Sequence, residues 1–540
     1  MRRKELDSEE MLRFLLDFCA VNTINGQEGC ENNGTKFLYE SLKTIPYFQE
    51  NPECLFLQPV EGDPLKRKNL VAFLKANSPT KKTIILSGHI DTVDTEVCGP
   101  LKDLAFQPLR YTQALLKADI REEIRKELQS GEYLAGRGVA DMKSGLAAQW
   151  AVMKYYALHM EKRRVNLLWI PVVDEENNAN GIHQAVEYFC SLRDEKYEFL
   201  CCIDSEPTIT PESKECGRIY LGTIGMVTPF VLAVGKESHV GEYFEGISAA
   251  LMAFHLGVAI ENNPEFTEVY MGKKYPPICC LRTMDFRKSY SVTVPNRYAM
   301  YFNYLFVRKR PGDILNLIRQ LAASSAKKAL EQADTETKDV KIRTFEELCT
   351  EYEQKSGRSP EKALKEFIRQ CPQNMDIQDC CMRFVNELCG EVQLEGPAFV
   401  IGFLPPYCPS RVNLRISEKE RKVLAVAERL ISDRKDEGID IRLSEVYEGI
   451  SDLSELGFQG DDGDISLLRK NLVGLNASTP YPLEKMQQLD IPVINIGPIG
   501  KDAHKMGERL YLPYFKDVLP GLLLDFIEKM QSDEGRPYRA

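Results

Sequence analysis

One stretch of sequence constrains this chain more than any other: a buried strand that ends in a histidine and an aspartate. The strand is Thr83-Ile84-Ile85-Leu86, and Ser87-Gly88-His89-Ile90-Asp91-Thr92 follows it. On an extended chain, residues i and i+2 point to the same side, so His89 and Asp91 should emerge together. Open α/β sheets build their sites at the carboxyl ends of strands. The pair is therefore a candidate for chemistry, although such a pair alone is more often a local hydrogen bond.

The same kind of ending recurs later in the chain. Three further apolar runs lead into polar segments, which are Asp174-Glu175-Glu176, Asp204-Ser205-Glu206 and the loop that reaches His504. Stretches with helical spacing separate the runs. This alternation of strand and helix predicts an α/β fold with a mixed, mostly parallel sheet.

The 540 residues are enough for more than one domain. From about residue 222 the alternation gives way to long strands and helices, which indicates an inserted α+β unit. The mostly polar segment 333–339 is a plausible linker. We therefore predict a catalytic domain in two parts, 1–222 and 339–540, interrupted by an α+β domain over 223–338.

Five residues have the types that a two-metal centre needs: His89, Asp141, Glu176, Glu206 and His504. Zinc binds imidazole nitrogen and carboxylate oxygen. Two neighbouring ions need one bridging carboxylate and further ligands on each side. Two histidines and three acids meet that requirement, so the sequence predicts a di-metal site.

Residues beside these five have candidate supporting roles. Asp91 can hydrogen-bond the far nitrogen of His89 and so fix its tautomer. Glu175 precedes Glu176 on extended backbone, so its side chain points elsewhere and can serve as a general base. Asp204 competes with Glu206 as a ligand, because the alternation of a strand places both on one face.

Five motifs in order resemble those of the di-zinc metallopeptidase superfamily that includes carboxypeptidase G, aminoacylase and peptidase T. They are His89-Ile90-Asp91, Gly138-Val139-Ala140-Asp141-Met142-Lys143-Ser144-Gly145, Asp174-Glu175-Glu176, Ser205-Glu206-Pro207 and the late His504. Within that superfamily the chain is similar to the arginine-utilisation protein RocB group. The segments that carry this second resemblance include Gly235-Lys236-Glu237-Ser238-His239 and Gly500-Lys501-Asp502-Ala503-His504.

The resemblance implies a zinc-exopeptidase-like α/β catalytic domain with a smaller inserted α+β lid of the dimerisation type. It implies two zinc ions, with cobalt or manganese as alternatives. His89 and Glu206 would hold one ion, Glu176 and His504 the other, and Asp141 would bridge them.

The resemblance also assigns catalytic roles. Glu175 would take a proton from water, and His239 in the lid would polarise the scissile carbonyl. The family usually has a proline soon after this histidine, whereas this chain continues Val240-Gly241-Glu242.

We expect a zinc-dependent hydrolase that cleaves an amide bond of a small peptide or N-acyl amino acid. The name of the RocB group suggests a role in amino-acid or arginine catabolism. The alternative is an inactive metal-binding or scaffold paralogue of the same fold. The complete ligand set and Glu175 argue against that alternative, because an inactive relative would be free to lose them. No nucleophile-elbow motif supports a serine or thiol hydrolase.

The composition of the chain restricts the classes of partner that it is expected to bind. The net charge is −11, which argues against nucleic acid or an anionic membrane surface. No apolar run approaches the roughly 20 residues of a membrane helix, and no apolar signal core follows the charged start. We expect a cytoplasmic protein whose 16 scattered cysteines are reduced. The resemblance adds the expectation of a homodimer through the lid.

Overall fold

The computed structural model describes residues 6–208, 216–287, 289–335, 337, 339–372, 375–475 and 481–532. These residues form two compact units. The first takes its described residues from Met1–Thr223, Arg411–Phe458 and Lys485–Ala540. The second comprises those of Ile224–Ser410 and Gln459–Glu484.

An eight-stranded mixed sheet forms the centre of the first unit. In spatial order its strands are Leu55–Pro59, Lys68–Leu74, Asn166–Val172, Lys82–His89, Glu198–Asp204, Val493–Ile496, Gly217–Tyr220 and Ile441–Ser444. The four strands from Asn166–Val172 to Val493–Ile496 run parallel to one another. They are buried almost throughout, as their aliphatic runs require of strands covered on both faces. The predicted α/β fold with a mixed sheet is confirmed.

Helices cover this sheet. The α-helices of the first unit are Ser8–Cys19, Cys30–Lys43, Pro46–Glu50, Pro108–Leu115, Glu122–Gln129, Lys143–Leu158, Asn180–Asp194, Glu418–Asp436, Leu512–Asp517 and Leu519–Gln531. Short strands at Tyr133–Ala135, Gly222–Thr223, Arg411–Val412, Gly500–Lys501 and Arg509–Tyr511, and the 3-10 turns Pro52–Cys54, Glu96–Leu104, Met160–Lys162 and Asp452–Leu456, complete it. Helix Leu483–Leu489 lies where the chain returns from the second unit. No helix in the described ranges is long and apolar enough to span a membrane.

The central helix Lys143–Leu158 fits closely against the sheet. It is buried on nearly all sides, and Gly145 lies where its backbone meets the end of a strand. A Cβ atom at Gly145 would lie 2.2 Å from the carbonyl oxygen of Ser205. Only glycine therefore permits this approach, which fixes the segment just before Glu206.

The second unit is an α+β arrangement. The spatial order of its main sheet is Cys279–Asp285, Arg297–Phe306, Gly225–Val234, Ala398–Cys408 and Lys341–Thr344. Its helices are Ala249–Ile260, Pro311–Gln332, Phe345–Ser356, Pro360–Gln370, Ile377–Glu391 and Asp462–Asn471. A small hairpin of Val269–Tyr270 and Lys273–Lys274 and the 3-10 turns Val240–Glu245 and Pro264–Phe266 accompany them.

The second unit is larger than the insertion predicted over 223–338. Strand Lys341–Thr344 pairs in parallel with Ala398–Cys408, which in turn pairs with Gly225–Val234. The polar linker at 333–339 therefore lies inside this unit, which continues to Ser410 and also includes Gln459–Glu484. Local polarity indicated a boundary, but long-range strand pairing decides where the unit ends.

One pair of cysteines differs from the expectation of reduced thiols. Cys371, just after helix Pro360–Gln370, forms a disulfide with Cys380 in the first turns of helix Ile377–Glu391. Their Cα atoms lie 6.5 Å apart. The other fourteen cysteines are free, and most are buried.

Candidate metal centre

His89 ends its strand with one ring nitrogen held by backbone. Its Nδ1 lies 3.0 Å from the backbone carbonyl of Asp91, to which a protonated Nδ1 donates a hydrogen bond. In that tautomer Nε2 carries the free lone pair, with which the imidazole can bind a metal ion. The ring is 1% exposed, so its direction is fixed by packing.

The predicted contact of the Asp91 carboxylate with His89 is wrong in detail. Asp91 Oδ1 lies 3.9 Å from His89 Nδ1, because the nearer carbonyl of the same residue already occupies that nitrogen. The carboxylate instead accepts hydrogen bonds from the backbone N–H groups of Glu175 at 3.2 Å and Glu176 at 3.0 Å. Asp91 thus holds the acidic loop that follows the neighbouring strand.

Asp141 lies between the two imidazoles. Its Oδ1 is 3.1 Å from His89 Nε2, and its Oδ2 is 3.3 Å from His504 Nε2. The residue sits between the glycine-containing loop at 136–140 and helix Lys143–Leu158, so its carboxylate reaches both histidines. One carboxylate with an oxygen toward each imidazole has the geometry of a bridging ligand.

The remaining two predicted ligands divide between the histidines. Glu206 Oε1 is 3.4 Å from His89 Nε2, and Glu176 Oε1 is 3.0 Å from His504 Nε2. All five predicted ligands therefore converge, and they group as His89 with Glu206 and His504 with Glu176 about a shared Asp141.

Glu175 and Asp204 also lie at this end of the sheet. Glu175 Oε2 is 3.9 Å from His89 Nε2, beside the ligand set rather than away from it. Asp204 Oδ1 accepts the backbone N–H of Ser205 at 2.7 Å. The contact of Glu206 with His89 makes Glu206 the nearer match to a ligand.

Several buried carboxylates lie close together in the site, and their pKa values and those of the histidines are shifted. Burial raises the pKa of Glu206 to about 8, and it raises the pKa of Glu175 well above its usual range. Hydrogen bonds that the His504 imidazole donates to the carboxylates of Asp141 and Glu176 raise the pKa of His504 to about 10. Crowded buried carboxylates repel one another, so this arrangement favours a bound cation.

The separations between the donor atoms are close to those of ligands that share a metal ion. Two ligands on one tetrahedral zinc, each at about 2.0–2.2 Å, lie about 3.3–3.6 Å apart. The four imidazole–carboxylate separations above span 3.0 to 3.4 Å. His89, Asp141 and Glu176 also present ligand atoms within 4.8 Å of one another. Nitrogen and oxygen donors of this kind suit zinc, and also cobalt or manganese.

The loop that carries His504 is held by an ion-pair network. His504 and Asp502 both have positive φ, 64° and 53°. Arg509 contacts Asp502 at 2.5 Å and Glu127 at 2.6 Å. These contacts stabilise a backbone conformation that non-glycine residues rarely adopt.

His239 belongs to the second unit. It is exposed and its Nδ1 accepts the backbone N–H of Gly241 at 3.1 Å. It pairs across a single β-bridge with Thr293. Its role in polarising a substrate carbonyl stays a prediction.

Sequence reasoning missed several supporting residues. Arg67 forms buried ion pairs with Glu31 and Asp63, and with Asp174 at 2.5 Å. Asn25 donates to Asp91 at 2.8 Å. These residues precede the acidic loop by more than a hundred positions, so no local pattern could associate them with it.

The chain is similar in sequence and fold to known proteins. The sequence profile of "Peptidase family M20/M25/M40" matches residues 85–393, more than half of the chain. The chain belongs to this peptidase family. This M20 family member is thus a hydrolase of the peptidase and amidohydrolase kind.

Two Bacillus subtilis proteins are similar to this M20 family member over nearly its full length. It is 30% identical over 536 residues to the uncharacterised protein YqjN, covering 95% of both chains. It is 27% identical over 523 residues to protein RocB, covering 93% of this chain and 92% of RocB. These matches confirm the predicted resemblance.

A solved structure shows the same fold. The aminopeptidase PepT from Bacillus cereus aligns with a TM-score of 0.55 at 13% identity, over 98% of this chain and 100% of that one. The M20 fold predicted from the ordered motifs is therefore confirmed.

Proposed function

We propose that the protein is a di-metal hydrolase, most simply a di-zinc enzyme, that cleaves an amide bond of a small peptide or N-acyl amino acid. The observation that carries the proposal is the Asp141 carboxylate, with one oxygen toward each of two imidazoles. Metal ions held at such a centre can polarise the unreactive carbonyl of an amide. The similarity to a solved aminopeptidase supports the peptide class.

His89, Glu206, Glu176, His504 and Asp141 would hold the ions. When bound, two ions supply Lewis acidity toward the substrate carbonyl and lower the pKa of a nearby water molecule. Glu175 would take a proton from the attacking water as its oxygen joins the carbonyl carbon. It would then deliver that proton to the leaving nitrogen as the C–N bond breaks. Glu175 lies beside the ligand set, and burial raises its pKa well above its usual range, as expected of a group that accepts and returns a proton.

A metal analysis combined with an activity screen tests the proposal. We expect about two metal ions per wild-type chain, and fewer in Glu176→Ala and His504→Ala. Dipeptides and N-acyl amino acids are the substrates to screen, with release of the free amine as the readout.

Glu175→Gln separates binding from catalysis. It should keep both ions but lower kcat by about 10²- to 10⁴-fold, the usual contribution of a positioned general base. Glu40→Gln, on the exposed face of helix Cys30–Lys43, is the matched control and should change neither quantity. A wild-type protein that binds no metal when zinc is supplied at neutral pH would overturn the proposal and favour the scaffold alternative.

Oligomeric state, location and metabolic role are further predictions that do not depend on the metal centre. A homodimer through the second unit would cover exposed apolar side chains such as Phe254 and Val258 on helix Ala249–Ile260. The cytoplasmic location and a role in amino-acid or arginine catabolism stay predictions.

A further inference from the structure

We propose that Glu508 is a positioning residue that sets metal affinity by fixing the backbone of the bridging ligand Asp141. The inference rests on the proposed di-metal centre. Glu508 lies four residues after His504 in the chain, and its partner Arg137 lies four residues before Asp141. Neither was singled out by its sequence pattern.

The Glu508 side chain makes three contacts around the bridging ligand. Its Oε1 accepts the backbone N–H of Ala140 at 3.3 Å and that of Asp141 at 3.4 Å. Its Oε2 accepts a hydrogen bond from Arg137 Nη1 at 2.6 Å. Both side chains of this ion pair are almost fully buried, at 1% and 2% exposure. The carboxylate is therefore held at one end by a cation, and it holds the peptide groups of the ligand at the other.

The Glu508 backbone joins two ligand-bearing segments. Its carbonyl accepts the N–H of Gly136 at 3.2 Å, and its own N–H donates to the carbonyl of Lys505 at 3.2 Å. The adjacent strands Tyr133–Ala135 and Arg509–Tyr511 pair antiparallel, with Arg509 opposite Ala135. The loop of Asp141 and the loop of His504 thus share one anchor.

Arg137 is fixed independently of Glu508. Its Nε donates to the carbonyl of Asp94 at 3.1 Å, and its backbone N–H donates to the carbonyl of Ala105 at 2.9 Å. The guanidinium therefore has a defined position before it meets the carboxylate. Motion of Glu508 is restricted by a partner that belongs to a different part of the unit.

A buried ion pair needs a reason beyond stability. Removing two charges from water costs several kcal/mol per ion, so an apolar pair of similar volume is often as stable. The contacts of Glu508 supply another reason, because they fix the position of the Asp141 backbone, from which the ligand side chain extends. Hydrogen-bond partners behind a ligand typically contribute about 10- to 100-fold in metal affinity or activity.

The Glu508→Gln variant tests the inference. It keeps the shape and one oxygen for the two N–H groups, but it removes the charge and turns an amide NH₂ toward Arg137. We expect the dissociation constant of at least one zinc ion, measured by competition with a chelator, to rise about 10- to 100-fold. The cobalt(II)-substituted variant should also show an altered visible absorption spectrum, and kcat should fall more than KM rises.

The control is a buried ion pair in the same unit that makes no contact with the ligands. Arg411 and Glu420 are 0% and 5% exposed, with Nη1 and Oε1 at 3.3 Å. Glu420→Gln should lower the midpoint of thermal unfolding while leaving both zinc affinities and the cobalt spectrum unchanged. The double variant Arg137→Met/Glu508→Gln should lose less affinity than the sum of the two single variants, because the two residues act as one unit.

The outcomes separate this inference from the proposed function. If the wild type binds two ions and Glu508→Gln binds them equally well, the positioning role is overturned and the hydrolase proposal stands. Equal losses of affinity in Glu508→Gln and Glu420→Gln would also overturn it, because the effect would then be general destabilisation. A wild type that binds no ion overturns both proposals.

Discussion

At the scale of single residues, the Asp91 carboxylate holds the acidic loop of Glu175 and Glu176 rather than the imidazole of His89. Its carboxylate receives two backbone N–H groups from the loop that carries Glu175 and Glu176. Asn25 donates a third hydrogen bond to it. A carboxylate with three donors fixes a loop well, because each N–H has a charged acceptor.

We expect Asp91→Asn to weaken zinc binding about 10- to 100-fold, because its amide replaces one acceptor oxygen with a donor. The loss should fall on the ion held by Glu176, as shown by stepwise chelator competition. Asp103→Asn, at an exposed aspartate in the same unit, should leave the affinity unchanged. A loss confined to the ion at His89 would show that Asp91 acts through the histidine instead.

At the scale of secondary structure, helix Lys143–Leu158 sets the depth of the site. Its glycine at position 145 lets the helix reach the carbonyl of Ser205, and Asp141 lies just before its first turn. This close approach brings the helix against the segment just before Glu206, and Asp141 lies just before the start of the same helix.

Gly145→Ala should separate these two elements, because the added Cβ would lie 2.2 Å from the Ser205 carbonyl oxygen. We expect a lower midpoint of thermal unfolding together with weaker zinc binding. Gly390→Ala, in helix Ile377–Glu391 with no atom within 4 Å of the added Cβ, is the control. It should be neutral or slightly stabilising, since alanine favours a helix over glycine by up to about 1 kcal/mol. Normal zinc affinity in Gly145→Ala would refute this link between packing and the site.

At the scale of the whole molecule, the candidate site belongs to one of the two units. All five candidate ligands and Glu175 lie in the first unit, whereas His239 lies in the second. A metal ion that binds only the folded form stabilises the unit that binds it. The free energy of unfolding rises by about 4.1 kcal/mol when the free metal concentration is a thousand times the dissociation constant.

Zinc added to the metal-free protein should therefore slow amide hydrogen exchange mainly in the first unit. The strand ends and loops that carry the ligands should show the largest change, measured by mass spectrometry of peptides. Glu176→Ala should show a smaller change in the same peptides. Equal protection of both units would contradict the assignment of the metals to the first.

The sequence alone predicted the candidate ligands because each lies where an apolar run ends or a recognisable motif begins. His89, Glu176 and Glu206 follow buried strands, and strand ends can be read from a local pattern. The positioning role of Glu508 and Arg137 could not be predicted from the sequence, because it depends on a contact between positions 371 residues apart. The end of the second unit was misplaced for the same reason, since Lys341–Thr344 finds its partner strand more than fifty residues later.

The position of strand Val493–Ile496 inside the main sheet has a consequence for synthesis. It pairs with Glu198–Asp204 on one side and with Gly217–Tyr220 on the other. A ribosome that adds about 5–20 residues per second needs roughly 15–60 s to travel from one neighbour to this strand. Throughout that interval the nascent chain exposes the unpaired edge of Glu198–Asp204. Chaperones that shield such edges would therefore matter most while the second unit is being translated.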